Sequence, residues 1–274
     1  MKTTTGYPQK EDVLINRLKK VTTVLLLAII LLLTAAALQA EDKKHEDARI
    51  RKMLKKMDEL YRSDSSTATL EMAITTPHWK RTLKMTFWSQ GMDKTFIRIL
   101  TPKKERGIST LRVSNEMWNF LPKTNKTMKI PPSLMMGSWM GSDFTNDDLV
   151  KEYTFLEDYS FEVTTAADGT PGMIYVKCTP RPGRPIVWGW IVLAVREADM
   201  MPHWYKYYDE KGKLMREILY KEETDFGGRK IPAVMELIPT NKKGNKTVIR
   251  YIEATFDKKL DKSIFSLRNL RSRL

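Results

Sequence analysis

Thr145-Asn146-Asp147-Asp148 places a hydroxyl, an amide and two carboxylates in four consecutive positions. Such a set could ligate a cation, or supply a paired acid and base. It is also a Thr-x-x-Asp form of the helix capping box, in which hydroxyl and carboxylate each accept from the other residue's backbone N–H. Acidic side chains in a first turn suit the positive end of the helix dipole. The cap accounts for all four residues without a ligand, and predicts a short helix over Asn146–Tyr153. The other chemistry-bearing residues are scattered. His45, His78 and His203 are the three histidines, with His78 and His203 beside prolines. Ser133, Ser138 and Ser142 sit in no nucleophile motif, and no glycine loop has phosphate-binding spacing. These absences predict a protein that is not an enzyme and has neither a metal site nor a cofactor.

The segment just before the cap carries a different chemistry. Leu134–Leu149 reads LMMGSWMGSDFTNDDL, with Met135, Met136, Trp139, Met140 and Phe144 in a stretch broken by Gly137 and Gly141. Thioethers repack around irregular shapes, so this composition suits a surface that meets something apolar and variable. A loop that merely covers a core is the alternative.

The flanking sequence supplies the elements that must position this segment. Ile50, Met53, Leu54, Met57, Leu60 and Tyr61 recur at steps of three and four, predicting an amphipathic helix over Asp42–Arg62. From Thr67 the period becomes two. Leu70, Met72 and Ile74, then Leu83, Met85 and Phe87, then Ile97 and Ile99 alternate with polar residues. Trp118 and Phe120 share one face of a strand and Met117 and Leu121 the other, which predicts burial on both sides. Strands follow over Ser160–Thr165, Met173–Thr179, Val187–Val195, Pro202–Tyr208, Leu214–Lys221, Ile231–Pro239 and Thr247–Phe256, separated by turn residues. About ten strands with one or two helical inserts describe an antiparallel barrel or strongly curved sheet.

The N-terminus points outside the cytosol. Lys10, Arg17, Lys19 and Lys20 precede an apolar run, Val21–Leu38, and Leu38-Gln39-Ala40 leads into charge at Glu41. This is the order of a secretory signal over residues 1–40, leaving 41–274 as a single domain. The run is also near the length that spans a bilayer, so an uncleaved inner-membrane anchor is the alternative. Residues 41–274 hold 42 basic and 31 acidic residues. That excess favours anionic partners such as lipid headgroups, and export argues against nucleic acid. Cys178, the single cysteine, shares parity with apolar neighbours and is expected to be a buried small hydrophobe.

Several blocks resemble the outer-membrane lipoprotein-sorting (LolA-like) family, in its uncharacterised sorting-protein branch. They are Trp118-Asn119-Phe120-Leu121-Pro122, Lys129-Ile130-Pro131 and Gly137 through Leu149, with Thr101-Pro102, Gly107 and Tyr207-Tyr208-Asp209 in support. The resemblance spans roughly residues 50–265. It implies a half-open antiparallel β-barrel with a helical lid, whose apolar cavity holds acyl chains. It implies a non-catalytic periplasmic carrier of a lipoprotein or lipid, meeting the membrane surface transiently and served by an inner-membrane exporter or transporter. The alternative function is a structural or adaptor subunit of a resistance-nodulation-type envelope exporter. On this reading Leu70, Met72, Leu83, Met85, Phe87 and Trp118 line the cavity wall. Met135, Met136, Trp139, Met140 and Phe144 form the lid. Arg98 and Arg112 are candidates for the family's acyl-binding arginine.

Overall fold

A computed structural model describes residues 43–272 apart from 151–153, 167, 168 and 185, together with Leu31, Thr34, Leu38, Gln39 and Glu41. The expected signal over residues 1–40 lies outside the described residues except for four of these positions. The chain divides into two compact units, Met1–Lys52 and Met53–Leu274. Helix α1 spans residues 43–59. No helix among the described residues is long and apolar enough to cross a membrane.

The second unit is built on one sheet. Strands β1 (Ser65–Thr75), β2 (Lys80–Gln90), β3 (Lys94–Thr101), β4 (Ser109–Val113), β5 (Glu116–Leu121) and β6 (Lys126–Lys129) form an antiparallel meander. A second meander runs through β7 (Tyr159–Thr164), β8 (Met173–Pro180), β9 (Trp190–Arg196), β10 (Pro202–Tyr208), β11 (Leu214–Asp225), β12 (Lys230–Pro239) and β13 (Lys246–Phe256). Pairing of β1 with β13 fuses the two into a 13-stranded sheet edged by β6 and β7. The edges do not meet, so the barrel is half open. Residues 130–158 run from one edge strand to the other. They carry two short 3-10 turns, Pro132–Leu134 and Trp139–Gly141, and helices α2 (Asn146–Val150) and α3 (Phe155–Asp158).

Period-two patterning sorts the strands onto two packed faces. Leu70, Met72, Leu83, Met85, Ile97 and Ile99 are buried together on the inner face. Phe96, Leu111 and Phe120 are buried on the outer face, under Phe265 and Leu270 from the C-terminal turn and helix α4 (Leu267–Leu270). Each such side chain contributes about 1.5–3 kcal/mol by leaving water. Strand β5 is covered on both sides, with Met117 inward and Trp118 and Phe120 outward. Cys178 is fully buried, and burial pushes its thiol well above the usual range.

Three details differ from the sequence expectation. Thirteen strands replace about ten. Strand β6 has all four residues exposed, so it bears no apolar alternation to read. Strand β11 runs on to Asp225, past the Lys221 end expected from the sequence, with left-handed backbone at Glu222 (φ 56°) where the pairing skips from Lys221 to Glu223. The sequence Trp188-Gly189-Trp190 does require its glycine. A Cβ on Gly189 would lie 2.4 Å from the Asp209 carbonyl oxygen, where β9 passes the β10–β11 turn.

Candidate functional site

Between the inner face of the sheet and residues 130–158 lies a cavity of about 300 Å³. Its wall is Leu70, Met85, Phe87, Ile97, Met235 and Ile249, drawn from the five central strands β3, β2, β1, β13 and β12. Trp139, Phe144, Asp148 and Phe155 contribute from the bridging segment. Beyond β12 the lining continues with Ile218, Tyr220, Tyr207 and Ile191. Tyr61 stacks on Tyr251 at 5.2 Å, and its hydroxyl donates to the Pro232 carbonyl at 2.8 Å. Aliphatic and aromatic walls with Arg62, Arg216 and Asp148 as the charged groups have the composition of a site for an apolar ligand.

The segment singled out from the sequence is distributed over three environments. Trp139 is buried, and its indole N–H donates to Thr110 Oγ1 at 3.2 Å across the inner face. Met140 adopts a left-handed conformation (φ 52°) and Gly141 follows it (φ 71°). Arg81 holds that turn through the Met140 carbonyl, and itself pairs with Glu105 at 2.6 Å. Asp143 fastens the next residues to β13, accepting from Thr247 Oγ1 at 2.8 Å and from the Asn245 amide at 3.2 Å. Met135 packs with Met140 against the inner core, while Met136 is exposed.

Of the expected wall residues, Leu70, Met85 and Phe87 face the cavity. Met72 and Leu83 share their face but are buried in the core beside it. Trp118 packs on the outer face with Phe96 and Phe120. Of the expected lid residues, Trp139 and Phe144 line the cavity. Arg98 binds Ser109 Oγ at 3.1 Å and reaches the C-terminal residues Asn269 and Ser272, while Arg112 binds the Met92 carbonyl at 2.6 Å. Neither lines the cavity.

The arginines that do line it are Arg62 and Arg216, which the sequence did not distinguish. Arg62 lies over the Phe87 ring at 5.8 Å and donates to Thr95 Oγ1 at 2.9 Å. Burial, with Arg112 nearby, pulls its guanidinium down to about 9, so it stays cationic at neutral pH. Arg216 is held between Trp188 (4.5 Å) and Tyr207 (4.3 Å) and grips Asp148 through both terminal nitrogens, at 2.8 and 2.6 Å. Both members are largely buried, at 7% and 15% side-chain exposure.

Asp148 serves two structures at once. Its carboxylate accepts from the Thr145 backbone N–H at 2.8 Å, and its own N–H donates to Thr145 Oγ1 at 3.1 Å, which is the reciprocal capping box. The same carboxylate ties the bridging segment to β11. Burial alone would raise its pKa, but the Arg216 guanidinium and the Thr145 hydrogen bonds hold it below the usual carboxylate range.

A second carboxyl meets the bridging segment from helix α1. Asp58 accepts from the Phe155 backbone N–H at 3.1 Å. Burial, opposed by that bond and reinforced by Asp158 and Glu59, raises it from 3.8 to about 7. A group protonated more easily folded than unfolded contributes stability that is full below the unfolded value and is lost as pH rises through the folded one. Asp58→Asn keeps an acceptor for Phe155 without the charge. It is expected to remove the loss of stability between pH 4 and 7, and to exceed wild type at alkaline pH by on the order of 1–3 kcal/mol. Urea denaturation of both proteins across that range reads this out, and an unchanged slope in the variant would contradict it.

The sequence model of a family described as uncharacterized protein-like matches residues 91–272. Among solved structures, a DUF1329 family protein from Desulfovibrio piger ATCC 29098 superposes with a TM-score of 0.72 at 21% identity, covering 80% of this chain and 97% of that one. A domain assigned to outer-membrane lipoprotein sorting from Vibrio parahaemolyticus gives 0.69 at 21% identity, over 83% and 97%. A LolA superfamily protein from Nitrosomonas europaea gives 0.64 at 20% identity, over 80% and 97%. No curated protein matches the chain.

Proposed function

The chain belongs to the DUF1329 family and has a LolA-like fold, and from these we propose that it is a non-catalytic carrier that shields acyl chains in an aqueous compartment. The supporting observation is the apolar cavity closed by a segment that carries Trp139 and Phe144. Each methylene moved from water into such a site gains about 0.8 kcal/mol, so a cavity of this kind holds a chain that would otherwise aggregate. The cargo class is the acyl part of a lipoprotein or lipid. The signal-like pattern of residues 1–40 supports export to the periplasm, where an inner-membrane exporter or transporter would supply the cargo.

The segment around Leu134–Phe144 is the movable element on this reading. It is held by discrete ties, from Arg81 to the Met140 carbonyl and from Thr247 to Asp143, with Asp148 bound to Arg216 just beyond it. A fluorescent polyene fatty acid should bind saturably with enhanced emission and be displaced by a lysophospholipid. Absence of saturable binding by delipidated, folded protein would sink the proposal.

A further inference from the structure

The two ends of the half-barrel carry opposite charge. In an antiparallel meander alternate turns fall at the same end of the sheet, so the register sorts them without ambiguity. One end gathers residues 76–79, 102–108, 122–125, 181–184, 186–189, 209–213 and 240–245, which hold ten lysines and arginines against three carboxylates. The other gathers 61–64, 91–93, 114–115, 165–166, 169–172, 197–201, 226–229 and 257–261, with four basic and six acidic residues. The turns at one end therefore carry a net charge of +7 and those at the other −2.

Two large apolar side chains break the surface at the basic end. Trp79 (43% exposed) stands in the β1–β2 turn and Val187 (44%) just before β9, both at this end. The opposite turns carry no exposed large apolar residue among those described, the exposed Val163 of β7 lying just inside that end. The bridging segment is pinned to the basic end, by Asp143 to Asn245 and Thr247 and by Met140 to Arg81, and it adds exposed Leu134 and Met136. Lysines around an exposed tryptophan match a bilayer interface. The cations meet phosphates, and the indole sits at headgroup depth.

We propose that this end is a docking surface for anionic phospholipid headgroups, and that docking presents the bridging segment to the membrane. The inference deepens the carrier reading and rests on it for the exit of cargo. The docking itself is measured without cargo, so the two can fail separately.

The test is sedimentation of the intact protein with phosphatidylglycerol-containing vesicles, against phosphatidylcholine vesicles. Three pair substitutions change charge equally: Lys103→Glu with Lys104→Glu, Lys242→Glu with Lys243→Glu, and, at the opposite end, Lys258→Glu with Lys259→Glu. All six lysines are exposed, and thermal melts check that each variant folds. Either basic-end pair is expected to weaken binding to anionic vesicles by about tenfold or more, and the opposite pair by less than about twofold. Wild-type binding should weaken with added salt. Equal losses from all three pairs, no loss from any, or equal binding to phosphatidylcholine would overturn the proposal. So would capture of an acidic protein by this end from a protein that ignores anionic vesicles.

Discussion

Asp148→Ala is expected to cost about 3–5 kcal/mol of folding stability, because it strands the Arg216 guanidinium in a buried site. The cost exceeds the roughly 1 kcal/mol of a lost helix cap. Two charge-assisted bonds at 2.8 and 2.6 Å disappear, and the cation left between Trp188 and Tyr207 has almost no access to water. A domain of this size melts about 2–4 °C lower per kcal/mol lost, so the midpoint should fall by about 6–20 °C. The double variant Asp148→Leu with Arg216→Met removes both charges and should recover most of the loss. If the single variant loses only as much as a cap is worth, the ion pair is not a principal tie of the bridging segment. The pair also sets an acid limit. A carboxylate held below its usual range stabilises the fold above its unfolded pKa, and that contribution is lost as pH falls through the folded value.

Ile249→Trp should weaken acyl binding roughly a hundredfold while leaving the protein folded. Ile249 is a partly buried cavity residue on β13, opposite Met72 of β1 and Met235 of β12. An indole there takes space in a cavity of about 300 Å³ that the ligand would otherwise fill. Excluding three to four methylenes forfeits about 3 kcal/mol, a loss of affinity of roughly a hundredfold. Overpacking costs about 1–3 kcal/mol of stability, which a domain with a core of this extent tolerates. Titration with the fluorescent fatty acid measures the affinity, and urea denaturation the stability. Unchanged affinity in a folded Ile249→Trp protein would place the ligand elsewhere.

How much was legible in the sequence depended on the range of each interaction. The Thr145–Asp148 cap was readable because both partners lie within one turn. The ion pair made by the same carboxylate was not, since Arg216 lies 68 residues away on a strand whose register no local pattern gives. Strand alternation placed Leu70, Met85 and Phe87 on the inner face, but it cannot say which inner residues border a void and which fill the core, as Met72 and Leu83 do. Trp118 shows the same limit for faces. Its strand is apolar on both sides, so parity alone left open which side was inward, and the C-terminal Phe265 and Leu270 settle it. Arg62 was hidden because it follows a helical stripe as an ordinary polar residue, and the turn into β1 carries it to the cavity.

Whether the cavity carries acyl chains is tested most directly by mass spectrometry of organic extracts from protein purified without detergent. Wild type should release an acylated amphiphile in stoichiometric amount, and Ile249→Trp should release little or none. Wild-type protein that yields no acylated species, or an Ile249→Trp protein that yields the same amount, would contradict the account.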